Sequence, residues 1–122
     1  MSPPETRTRI TLLLPAPLTP TQYTRIDQVL TELTQACGGV TFSSPNPSVF
    51  AGRWVNPSKE EPDGDDLVLI LADAPVLPDA PSLAAYLSNL KLRCQRDFEQ
   101  DLVWITVHRV DRITAHDPTP PG

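Results

Sequence analysis

The side chains suited to chemistry in this sequence are few and widely spaced. His108 is the leading titratable group, because imidazole has an ordinary pKa near 6.5 and can take or give a proton close to neutrality. It follows Trp104 and Thr106 at every second position in the run Leu102 to Val110. If that run is a strand, this spacing sets all three on one face. Trp54 and Trp104 are the two tryptophans, flat apolar surfaces that stack on planar ligands but more often pack or line interfaces. No second catalytic group is placed beside His108 by spacing, and His116 stands next to Asp117 in a segment without periodicity. His108, Trp104 and Trp54 are therefore the candidate ligand-binding residues, and no catalytic set is assigned.

Five carboxylates, Glu60, Glu61, Asp63, Asp65 and Asp66, crowd into seven residues. Hard cations take oxygen ligands of this kind, but the alternating positions and closing glutamate of a calcium loop are missing. A solvated hairpin turn is the better reading, with its charge guarding a neighbouring strand edge. Cys37 and Cys94 are too few for a four-ligand zinc site or a disulfide framework. Gly38-Gly39 reads as a helix stop, because no helix follows it to make a phosphate loop. The spacing calls for no metal and no cofactor.

The elements that must position these residues are punctuated by proline. All fifteen prolines fall at 3, 4, 15, 17, 20, 45, 47, 57, 62, 75, 78, 81, 118, 120 and 121. Proline fixes φ and lacks an amide donor, so the gaps between them hold the helices and strands. Thr8 to Leu14 is a first strand. Thr19-Pro20-Thr21-Gln22 is a capping box with proline at the first helical position. Ile26, Val29, Leu30, Leu33 and Cys37 follow at helical spacing, which predicts a helix over 20–37 ended by Gly38-Gly39.

Val40 to Phe42 resumes extended structure, and Val49 to Asn56 continues it, with Gly52 marking a bulge or close approach. Pro57 to Asp66 reads as a polar turn, and Leu67 to Leu71 as a buried strand. A second helix follows Pro81, with Leu83, Tyr86, Leu87, Leu90, Cys94 and Phe98 on one stripe. Asp79 before it and Arg96 near its end match the helix dipole. In the last strand Val103, Ile105 and Val107 alternate with Trp104, Thr106 and His108. The prediction is one α+β domain over 7–113, with residues 1–6 and 114–122 as disordered tails. The order β-α-β-β-α-β is that of a ferredoxin-like fold: four antiparallel strands with two helices on one face. Leu12-Leu13-Leu14 and Leu67 to Leu71 are too continuously apolar for strands covered on one side only. Some of these leucines must point away from the helices.

Three short motifs sit at the junctions of these elements: Gly39-Val40-Thr41, Gly52-Arg53-Trp54, and Phe98-Glu99-Gln100-Asp101-Leu102-Val103. On them, over roughly residues 10 to 110, the chain resembles a family of small bacterial proteins whose function is uncharacterised. That family's pattern has a basic residue directly before the phenylalanine, where this chain has Asp97, with Arg96 one residue earlier. The resemblance implies one compact domain and transfers no activity.

Composition narrows the function classes. A chain of 122 residues buries enough surface to fold without disulfide or metal. A formal charge of −5 argues against nucleic acid and anionic membrane surfaces, both of which demand clustered Lys and Arg. The central strands also lack the stacking aromatics of an RNA-binding sheet. No signal peptide pattern opens the chain and no apolar run spans a bilayer, so a cytoplasmic location is expected. Two readings of function follow. One is a non-enzymatic binding or oligomerisation module that self-associates through the open sheet face. The other is a small cofactor-independent enzyme with a site between that face and a second subunit.

Overall fold

The computed structural model describes residues 5–44, 50–54, 63–100 and 103–113. Along the chain come β1 (Glu5–Pro15), α1 (Pro20–Cys37), β2 (Thr41–Phe42), β3 (Phe50–Trp54), β4 (Asp63–Ala74), α2 (Pro81–Asp97) and β5 (Trp104–Arg112). The protein is α+β, with two helices and a five-stranded open antiparallel sheet ordered β2-β4-β1-β5, β3 pairing with β4 as well.

Five strands replace the four predicted, because the edge expected as one strand is two. The Ser43 amide donates to the Leu69 carbonyl, and Phe50 stands opposite Leu67. Between these two pairings the chain advances from Ser43 to Phe50 while β4 advances only from Leu69 to Leu67. The two pairings are out of step along β4, and the sequence between them carries Pro45 and Pro47, which have no amide to donate to a ladder.

One face of the sheet makes the core. On β1, Thr8, Ile10, Leu12 and Leu14 are buried, and on β4 Val68, Ile70, Ala72 and Ala74 are. Each pair faces its partner across the ladder, Ile10 against Ala72 and Leu12 against Ile70. Onto this face pack Ile26, Val29, Leu33 and Cys37 of α1 with Leu83, Leu90 and Cys94 of α2, and Phe98 and Val103 close it. Leu30, Tyr86 and Leu87 are only partly buried at its margin. Both cysteines are free and buried. The hydroxyl of Thr8, fully buried, donates to the Val76 carbonyl at 2.6 Å. That bond ties the segment leaving β4 to the middle strand.

The local signals explain the helices. The Gln22 amide donates to Thr19 Oγ1 and the Thr19 amide to Gln22 Oε1, each at 3.2 Å, so the capping box closes in both directions. Gly38 ends α1 at φ 85, a left-handed conformation that glycine adopts without strain. The bounds of α1 match the predicted 20–37. The N-cap of α2 is Ala80, which makes no side-chain hydrogen bond, so Asp79 lies outside the first turn, while Arg96 is in the last turn as predicted.

Strand boundaries differ from the sequence reading. β1 begins at Glu5, so residues 5 and 6, predicted in a tail, pair with Arg112 and Asp111. β4 begins at Asp63, so Asp63, Asp65 and Asp66 belong to a strand, opposite Trp54, Gly52 and Ala51. The predicted turn ignored that β3 needs a partner: its backbone groups are met by extending β4. Glu60, Glu61, His116 and residues 114–122 lie outside the described residues. Val107 is on the core side opposite Ile10, yet 38% exposed, because edge strand β5 runs past the helices.

Candidate functional site

Alternation along β1 sends Arg7, Arg9, Thr11 and Leu13 to the face opposite the helices. The two registers extend them into rows across the sheet. Leu13 stands between Leu69 and Trp104, Thr11 between Leu71 and Thr106, and Arg9 between Asp73 and His108. Arg7 then lies beside Val110, and Glu5 beside Arg112. The open face is therefore apolar at one end and charged at the other. Leu67, on the same face opposite Phe50, is buried, whereas Leu13, Leu69 and Leu71 keep part of their surface exposed. Trp104 is 48% exposed and Phe50 40%. This assigns the surplus leucines: Leu12 and Leu14 enter the core, Leu13 and Leu69 leave it.

The charged end is organised by a forked ion pair. Arg9 Nε donates to Asp73 Oδ1 at 2.8 Å and Nη2 to Oδ2 at 3.1 Å, the bidentate geometry that suits guanidinium and carboxylate. The hydrogen bond from Arg9 holds the Asp73 carboxyl below its ordinary range against the opposing effect of burial, helped by the charges of Arg9, Arg7 and Arg112. The same bond raises the pKa of Arg9.

Beside this pair is a depression of about 500 Å³. Arg7, Arg9, Arg112 and Asp73 line one side, and the chain from Cys37 to Thr41, which turns out of α1, lines the other. Arg7 has a side chain only 13% exposed; its Nε is 3.3 Å from Glu5 Oε1, but no hydrogen bond of acceptable geometry reaches that buried nitrogen. Burial pushes the Cys37 thiol up, partly countered by the charge of Arg7, and pushes Cys94 up to about 11. Both thiols are neutral at pH 7 and poor nucleophiles.

The three residues singled out in the sequence are not brought together. Trp104 and His108 share β5 and the open face, separated by about 13 Å of strand. Trp54 belongs to β3, on the other edge, about 14 Å across and about 20 Å along the sheet from Trp104. The His108 side chain is exposed and makes no hydrogen bond among the described residues; its cross-strand neighbour Arg9 is committed to Asp73. The residues that do converge are Arg7, Arg9, Asp73 and Arg112. The signal for them was available in the spacing of Arg7 and Arg9, two apart on a strand, and in Asp73 ending the next central strand. It required the antiparallel register to be read.

No family model, curated protein or solved structure matches this chain. Of the three motifs behind the family resemblance, Gly39-Val40-Thr41 lies in the wall of the depression.

Proposed function

We propose that this chain is a non-enzymatic binding and oligomerisation module of ferredoxin-like design, which self-associates through the open face of its sheet. In this reading β2 and β3 together are the second edge strand of a split βαβ arrangement, and α1 and α2 are its two crossovers. The observation that carries it is the row Leu69-Leu13-Trp104, continued by Leu71 and Phe50, standing partly exposed on a face no described helix covers. Contiguous apolar surface of this kind marks interaction sites.

A second copy is the occupant that suits it. A two-fold axis through the apolar end sets leucine and tryptophan against their own equivalents, while the charged end stays at the rim in water. The chain's −5 charge weighs against nucleic acid and membranes as partners, and no described helix is long and apolar enough to cross a membrane. A cytoplasmic role fits the neutral, free cysteines. The enzyme reading lacks an acid–base pair: Asp73, the carboxylate in His108's row, is engaged by Arg9 and held ionised.

Tryptophan emission tests the reading. Trp104 loses water when the open faces meet, so the emission of the full-length protein shifts to the blue as concentration rises, and the shift vanishes in Trp104→Phe. Emission independent of concentration, or a shift that survives Trp104→Phe, refutes it.

A further inference from the structure

We infer that the depression at the charged end of the open face binds a small dianionic oxyanion, either a phosphate monoester or a dicarboxylate. This stands on observations independent of self-association.

Charge is the first. In a chain whose net charge is −5, three guanidinium groups line one hollow, and Asp73 is the one carboxylate among its described lining residues. The carbonyl end of α1 adds about half a negative charge at Cys37 and Gly38. Asp73, the helix end and Glu5 beside Arg7 together offset most, but not all, of the positive charge gathered there. Arg9 alone meets Asp73 in a forked bond.

Unused donors are the second. The Nε of Arg7 is buried without a hydrogen bond, which costs free energy until an acceptor arrives. Glu5, 44% exposed, stands 3.3 Å away in poor geometry and is displaced from there without breaking a good bond. The Arg112 side chain makes no hydrogen bond or close ion pair among the described residues, although its charge is felt at Asp73. Two guanidinium forks are thus available to the oxygens of a ligand, and planar forks recognise phosphate and carboxylate.

Room is the third. A volume of about 500 Å³ is that of a metabolite site. The opposite wall is Gly38-Gly39 backbone. Gly38 needs its left-handed φ of 85, but a methyl group added at Gly39 would meet nothing within 4 Å. No steric demand of the fold explains a glycine there, and open space lies beside it.

Calorimetric titration of the full-length protein with methyl phosphate and with succinate, followed by amide chemical shifts, tests the assignment. At least one anion is expected to bind saturably, more weakly in added salt, and to move the amides of Gly38, Gly39 and Thr41. Binding by methyl phosphate alone identifies the phosphate monoester, and binding by succinate alone the dicarboxylate. Arg112 is exposed at the end of β5, so Arg112→Gln keeps its melting temperature. Losing one charged hydrogen bond lowers its affinity by roughly tenfold or more. Saturable binding of neither anion, equal affinity in Arg112→Gln, or shifts confined to other surfaces would overturn the inference.

Discussion

Thr8 is the one buried polar residue among those described, fully shielded from solvent between Arg7 and Arg9. Its hydroxyl gives the Val76 carbonyl a bond of 2.6 Å and so fixes the exit of β4 relative to the strand that presents both arginines. Thr8→Val keeps the shape of the side chain and opens no cavity. It removes the donor and strands a carbonyl, which costs about 1–3 kcal/mol. Valine's better fit to a sheet returns a few tenths of a kcal/mol, leaving a net loss of about 1–2 kcal/mol. In a chain of this length each kcal/mol lowers the melting temperature by about 3–5 °C. Urea unfolding is the assay, with the m-value unchanged because the surface exposed on unfolding is the same. Thr8→Ser is the control: it keeps the hydroxyl and gives up one methyl group, worth about 0.8 kcal/mol. A valine variant as stable as the parent, or a serine variant weaker than the valine one, would refute the role given to this bond.

Ile70, with none of its surface exposed, should lose about 2–5 kcal/mol on truncation to alanine; Leu30, beside the buried stripe of α1 and only partly buried, should lose less than Ile70, and the reverse order in urea unfolding would contradict the core described. Because the folded pKa of Asp73 lies below its ordinary 3.8, its ion pair stabilises the fold above that value and loses its effect as pH falls through the folded value. With both side chains partly exposed the pair is worth on the order of 1 kcal/mol, so stability should fall less steeply on acidification in Asp73→Asn than in the parent; equal falls would dismiss the pair. The two buried thiols should react slowly with an aromatic disulfide reagent in the native protein and rapidly, with both counted, after unfolding without reductant. A count below two would mean a bridge.

Proline placement and capping chemistry made both helices legible, since Thr19, Gln22 and Gly38 act on their immediate neighbours. The polarity conflict in Leu12-Leu13-Leu14 was legible as well, although only the register decided that Leu13 is the one facing outward. The split edge was not: β2 and β3 pair with β4 out of step, and nothing local announces which residue on β4 meets Phe50. The acidic run reads as a turn for the same reason. Asp63, Asp65 and Asp66 have turn composition, but pairing with β3 draws them into a strand. His108 and Trp54 stand out by residue type, and residue type does not report distance across a sheet. Arg7, Arg9, Asp73 and Arg112 come from β1, β4 and β5, so their convergence exists only once strand order is known.

Self-association through the open face is tested most directly by sedimentation velocity of the full-length protein at micromolar concentration. The account predicts a species of twice the 13.4 kDa chain mass. It also predicts that Leu69→Glu, placing a charge at the centre of the apolar row, sediments as a single chain with an unchanged circular dichroism spectrum. A parent protein that remains at 13.4 kDa across the concentration range, or a Leu69→Glu variant that still pairs, would contradict it.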